Sequence, residues 1–121
     1  MSKRLTAQER ADRDLLEETF RDQVNELAAI YGFEWMWVHP LRAAGGIWKT
    51  PTYGPLGKGW PDTTYIHRRT GRTLYVEFKK ELGKTSPDQD RVLAFLRDAG
   101  LEAHVWRPSD FPEITRTLSG G

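Results

Sequence analysis

The sequence predicts an α/β domain: a central mixed β-sheet flanked by helices, in the order αβββαβα. Three observations carry this expectation. Leu16, Phe20, Val24, Leu27 and Ala28 recur at helical spacing near the N-terminus. Residues 63–67 and 73–78 are rich in Thr, Tyr, Ile and Val, and Arg69-Thr70-Gly71 between them is a turn signal. Ser86-Pro87-Asp88-Gln89 opens a further helix, which separates that hairpin from a later strand.

The elements follow in order. Thr6-Ala7-Gln8-Glu9 has the pattern of a capping box and starts the first helix, which Gly32 stops. Phe33 to Val38 is the first strand. Residues 40–59 read as a long loop rich in Gly, Pro and Thr, with basic Arg42, Lys49 and Lys58; a loop of that length in a small domain is often functional. The hairpin follows. The Ser86-capped helix ends near Gly100, Glu102 to Trp106 forms another strand, and Asp110-Phe111-Pro112-Glu113 opens a short last helix.

The hairpin brings together three groups with chemistry. Antiparallel register about Gly71 pairs residues whose numbers sum to about 140. That sets Asp62, in Gly59-Trp60-Pro61-Asp62, beside Glu77 or Phe78. Alternation along the second strand turns Leu74, Val76 and Phe78 toward the core, and Tyr75, Glu77 and Lys79 to the other face. Two neighbouring carboxylates repel unless a positive charge lies between them. Mg²⁺ or Mn²⁺ supplies that charge and prefers oxygen ligands. Such an ion polarises a phosphoryl oxygen and acidifies a bound water, and a lysine two residues along can orient that water or balance developing charge.

Composition narrows the classes. With 121 residues, 38% apolar residues and 29% charged residues, the chain is expected to be a single globular domain over 1–121. It has no cysteine, so no disulfide or thiolate site is possible. No apolar run approaches a membrane span and the N-terminus does not resemble a signal peptide, so a cytoplasmic protein without a membrane partner is expected. The net charge of +1 is unevenly spread. Residues 1–38 carry five basic and eight acidic groups, 39–80 eight and two, and 81–121 five and seven. The two acidic groups of the basic middle are Asp62 and Glu77. A positive surface around a carboxylate pair suits a phosphate backbone.

Pro61-Asp62 followed by Glu77-Phe78-Lys79 resembles the PD-(D/E)XK nuclease pattern. More narrowly, the chain is similar to a stand-alone VRR-NUC domain of bacterial or phage type. The similarity rests on Gly57 to Asp62, Leu74 to Lys79, Thr85 to Gln89, Ala99 to Glu102, Val105 to Asp110 and the helical Glu17 to Val24. It covers about residues 15–118. The resemblance implies a restriction-endonuclease-like core and a Mg²⁺- or Mn²⁺-dependent endonuclease that hydrolyses DNA phosphodiesters without a small-molecule cofactor. Asp62, Glu77, the Phe78 carbonyl and Glu17 would hold the metal, with Glu18 the alternative to Glu17. Lys79 would position the water. Gln89 would lie near the lysine or the substrate phosphate, although its place at N3 of a capping box explains it equally well. His39, Arg42, Lys49, Lys58 and Lys80 would contact DNA. Branched DNA such as a Holliday junction, a homodimer, and a place in DNA repair or recombination are further implications.

Gln23 matches a polar position of the family and fits a structural role as well. Trp48, Tyr53 and Trp60 flank the basic loop and could stack on bases, with packing the favoured reading for Trp60. His67 and His104 lack partners at zinc-ligand spacing. The competing functional readings are a non-catalytic nucleic-acid-binding module on the same fold, a site-specific restriction-type or homing endonuclease, and an interaction or inhibitor protein. The first would lack one of Asp62, Glu77 and Lys79, and the second needs recognition elements for which 121 residues leave little room.

Overall fold

A computed structural model of the chain describes residues 6–38, 41–42, 48–49 and 52–120, with only the backbone given for 10, 11, 13–15, 17, 41, 42, 48 and 49. Helix α1 (Ala7–Ile30) leads into strand β1 (Phe33–Trp37). The short strands β2 (Leu41–Arg42) and β3 (Trp48–Lys49) follow, then β4 (Thr63–His67) and β5 (Thr73–Phe78). Helix α2 (Pro87–Asp98), strand β6 (Glu102–Trp106), a 3-10 turn (Pro108–Asp110) and helix α3 (Phe111–Ser119) complete the chain. The main sheet has the order β1-β4-β5-β6. β1 pairs antiparallel with β4 and β4 with β5, while β5 and β6 run parallel with α2 as their crossover. This is the mixed sheet expected from the sequence.

Local chemistry explains the boundaries. Thr6 and Glu9 form a reciprocal capping box at the start of α1, and Ser86 and Gln89 form one at the start of α2, with Pro87 in its first turn. Gly71 takes φ +75 in the hairpin turn, where its missing Cβ avoids strain. His67 finishes that turn: its Nδ1 accepts from the backbone N–H of Arg69 and of Thr70, and its ring packs edge-on against Phe33. It is a buried structural residue.

Helices cover both faces of the sheet. On one face, Phe20, Val24 and Ala28 of α1 and Ile114 and Leu118 of α3 bury Phe33, Tyr65, Leu74, Val76 and Trp106. On the other, Val92, Leu93 and Leu96 of α2 pack on Ala103, with Tyr75, Val105 and Leu56 at the margin. Arg72 ties the first layer together. Its guanidinium donates twice to Glu102 at 2.8 Å and once to the Thr117 carbonyl at 2.8 Å.

Two expectations need correction. The stretch read as one long loop contains an antiparallel ribbon, in which Leu41 pairs with Lys49 and Arg42 with Trp48. Leu16, counted in the apolar stripe of α1, is 69% exposed. Among the described residues the buried stripe begins at Phe20, where the helix meets the sheet. Among the described residues, no helix is long and apolar enough to cross a membrane.

Candidate active site

The carboxylates Asp62 and Glu77 meet where β4 begins and β5 ends. Thr63 pairs with Val76, so the register sum is 139 and Asp62 falls opposite Glu77. The Asp62 N–H donates to Glu77 Oε2 at 3.2 Å, and the Asp62 carbonyl accepts from Val38 N–H at 2.8 Å. The Asp62 carboxylate is aimed by the Thr63 hydroxyl, 2.7 Å from Oδ1, and by the Phe78 N–H, 3.4 Å from Oδ2. Glu77 is 6% exposed, and its Oε1 accepts from Gln89 Nε2 at 2.9 Å. Lys79 Nζ stands 3.9 Å from Glu77 Oε1, and Arg21 Nη2 stands 3.8 Å from Asp62 Oδ2.

The face that bears Glu77 is therefore roofed by the start of α2. Burial and the Asp62 charge push Glu77 up to about 7, against the pull of Lys79. Burial also raises Asp62, despite the Thr63 hydroxyl and Arg21. Beneath them the Tyr65 hydroxyl donates to Asn25 Oδ1 at 2.6 Å and joins β4 to α1; burial and the Asp62 charge push that phenol upward. The two desolvated carboxylates are held side by side, and their cations Arg21 and Lys79 stand at 3.8 and 3.9 Å, beyond hydrogen-bonding reach.

The donor set suits a hard divalent cation. Both carboxylates offer oxygen, and a third oxygen is at hand. The backbone N–H and C=O of one strand residue face the same neighbouring strand. The Phe78 N–H points at Asp62, so the Phe78 carbonyl lies on that side of β5 as well. Mg²⁺ accepts few protein ligands and retains several waters. Among the described residues no group of three or more His, Cys, Asp or Glu is gathered in one place.

A hollow of about 320 Å³ opens onto the pair, lined by Arg21, Trp37, Trp60, Asp62, Glu77 and Gln89 among others. Its rim is the segment 52–59, strapped to α2. The Thr52 hydroxyl donates to the Gly57 carbonyl at 2.7 Å, Arg91 Nη1 to the Pro55 carbonyl at 3.0 Å, and Lys58 Nζ stands 3.4 Å from Asp88 Oδ2. Gly59 sits at φ +97, and a Cβ there would meet the Asp88 carbonyl oxygen at 2.4 Å and Gln89 N at 2.8 Å. Only glycine lets the Trp60-Pro61-Asp62 segment pass so close to the backbone of α2.

The expected residues fall into three groups. Asp62, Glu77, Phe78, Lys79 and Gln89 come together. Gln89 is the capping-box member expected, with Oε1 accepting from Ser86 N–H, and its Nε2 donates to Glu77 and not to Lys79. Lys58 is exposed on the rim segment 52–59, and Lys80 is exposed next to Lys79. Glu17 lies on α1 one turn before Arg21, with its side chain outside the described residues, while Glu18 is exposed. Arg42 and Lys49 lie on the β2–β3 ribbon with undescribed side chains, and His39 lies outside the described residues. Gln23 is exposed beside Phe111, away from the carboxylates. Trp60 packs edge-on against Tyr75 at 5.6 Å, and Tyr53 is 93% exposed. Sequence reasoning passed over Arg21. Its signal was its position, beside the core residue Phe20 and one helical turn beyond Glu17.

Comparison with known proteins bears on the fold and the family. A solved structure described as a VRR_NUC domain superposes with a TM-score of 0.58 at 22% sequence identity, covering 84% of this chain and 92% of that chain. It supports the fold. No curated protein matches the chain. The VRR-NUC domain family model matches residues 40–110, more than half of the chain, and includes Asp62, Glu77, Lys79 and Gln89. The chain accordingly belongs to the VRR-NUC domain family, whose domains are of nuclease type.

Proposed function

We propose that the protein is a metal-dependent endonuclease that hydrolyses DNA phosphodiesters, with branched DNA as its favoured substrate. The observation that carries this reading is the Asp62–Glu77 pair, joined by the Asp62 N–H donating to the buried Glu77 carboxylate and flanked by Lys79. Asp62, Glu77 and the Phe78 carbonyl hold Mg²⁺ or Mn²⁺, with Glu17 completing the set. The bound ion supplies Lewis acidity and a more acidic water. Gln89 Nε2 fixes the Glu77 carboxylate so that its other oxygen faces Asp62. Lys79 orients the attacking water and balances charge that develops on the phosphoryl group. The basic stretch 39–80, through His39, Arg42, Lys49, Lys58 and Lys80, draws in the phosphate backbone.

A homodimer with two such centres would cut opposing strands of a Holliday junction symmetrically, a chemistry suited to DNA repair or recombination in a bacterial or phage-infected cytoplasm. β1 stands at the edge of the main sheet and bears Trp35 and Met36, 38% and 58% exposed, so it offers an edge on which a second copy can pair.

Purified protein should be incubated with labelled four-way junctions, flaps and linear duplex, in Mg²⁺, in Mn²⁺ and in chelator, beside Glu77→Ala and Lys79→Ala. Cutting that needs metal, favours the branched substrates and disappears in both variants supports the proposal. Cutting that survives both substitutions, or none of any substrate, sinks it. Cutting of linear duplex at one sequence would favour the restriction-type reading.

A further inference from the structure

Arg21 has a guanidinium whose Nε is buried without a partner among the described residues. Its planar head is held between two aromatic rings, 4.9 Å from the centroid of Trp37 and 5.4 Å from that of Phe78. Among the described residues it pairs with Asp62, and the 3.8 Å separation is an ion pair beyond hydrogen-bonding reach. Other arginines of this protein behave differently. Arg72, Arg91, Arg97 and Arg107 each donate at least one hydrogen bond of 2.7 to 3.0 Å. An arginine kept for structure normally uses its fork of donors.

Its location says what the fork is for. Arg21 borders the hollow that contains Asp62, Glu77 and Gln89. It also borders a second, larger hollow of about 600 Å³, lined by Phe78, Lys79, Lys80 and the acidic Glu9, Asp12 and Glu81 among others. A nucleic-acid strand crossing the carboxylate pair from one hollow to the other passes the guanidinium. The charges tell the same story. Asp62 and Glu77 carry two negative charges when ionised, and Arg21 and Lys79 carry two positive ones. The centre is balanced before any cation enters. A divalent cation adds two positive charges, which match one phosphodiester and one attacking hydroxide.

We infer that Arg21 is a catalytic residue with two successive partners. In the metal-free protein it balances Asp62. With DNA bound it grips the non-bridging oxygens of the scissile phosphate through the paired donors that a guanidinium offers. The inference rests on the nuclease reading for its second partner and stands on this chain's geometry alone for its first.

The test uses Arg21→Gln and Arg21→Lys in the full chain, with two readouts. The first is Mn²⁺ affinity by calorimetry without DNA. Removing the resident cation should tighten Mn²⁺ binding several-fold in Arg21→Gln, and Arg21→Lys should stay near wild type. The second is single-turnover cleavage of a branched substrate at saturating Mg²⁺. Both variants should lose about 100-fold, because lysine supplies the charge without the fork. A merely structural role would weaken metal binding along with cleavage. Unchanged or weaker Mn²⁺ binding in Arg21→Gln overturns the inference, as does cleavage by Arg21→Lys at the wild-type rate. A wild-type protein that binds Mn²⁺ but cuts nothing defeats the nuclease reading and the phosphate role together, and the Mn²⁺ comparison still decides the role toward Asp62.

Discussion

Glu77 concentrates the tension of the site. Its carboxylate is buried, faces a second carboxylate and sits near pKa 7, where a surface glutamate would titrate far lower. The sign of the consequence is fixed. A carboxyl whose folded pKa is raised contributes stability that is fully present below its unfolded pKa and is lost as pH rises through the folded value. In chelator, the wild-type protein should therefore lose stability between about pH 4.5 and 7 from this group. Glu77→Gln should not, since its amide stays neutral. The gap in urea-unfolding free energy, with the variant the more stable, should open across that window to on the order of 2 kcal/mol. A gap that is constant from pH 5 to pH 8 would refute this reading of the site.

At the scale of elements, the site is the meeting of a hairpin end, a helix start and a strapped loop. Gly59 is where the last two touch. Gly59→Ala would force a Cβ against the backbone of Asp88 and Gln89, which has no side-chain freedom to yield. The expected result is a loss of about 1–3 kcal/mol of stability from the strained φ alone, and a fall in cleavage larger than the loss of folded protein, because Asp62 moves with the loop. Thermal unfolding beside single-turnover cleavage separates the two effects. The hairpin and the cap of α2 were legible because both are local: a turn glycine and the period of two fix Asp62 opposite Glu77, and a capping box needs only four residues. The strap of 52–59 over α2 was not, since Arg91 reaching Pro55 and Gly59 passing Asp88 are long-range contacts. Arg21 was missed for the same reason. Helical periodicity identifies Phe20 as a core residue but does not say that its neighbour emerges over Trp37 and Phe78. Leu16 erred the other way: periodicity continued past the point where the sheet ended.

Across the whole molecule, the sheet carries a helix layer on each face, and the chemistry sits where β5 emerges between them. The basic middle of the chain, eight basic against two acidic groups over 39–80, surrounds the two carboxylates in sequence. On the proposed nuclease reading, its role is collective and independent of base sequence. Lys80 is exposed beside the site on the rim of the larger hollow. Lys80→Glu should weaken binding to junction, flap and duplex by a similar factor and lower the salt slope by about 1. Fluorescence anisotropy from 50 to 300 mM salt in Ca²⁺ measures both. A selective loss for one substrate would instead make Lys80 a determinant of DNA shape.

The central claim is that Asp62, Glu77 and Lys79 form one hydrolytic centre, and Lys79 tests it most directly. Its amine touches Glu77 only at 3.9 Å and its loss leaves no buried carboxylate newly stranded from a hydrogen bond. Single-turnover cleavage of the best substrate by Lys79→Ala, at saturating Mg²⁺ and with the unfolding temperature measured beside it, should fall by about 10²–10³-fold with the fold intact. A rate within about threefold of wild type in a folded Lys79→Ala protein would contradict the account, because a lysine that leaves the rate unchanged contributes no charge to the transition state.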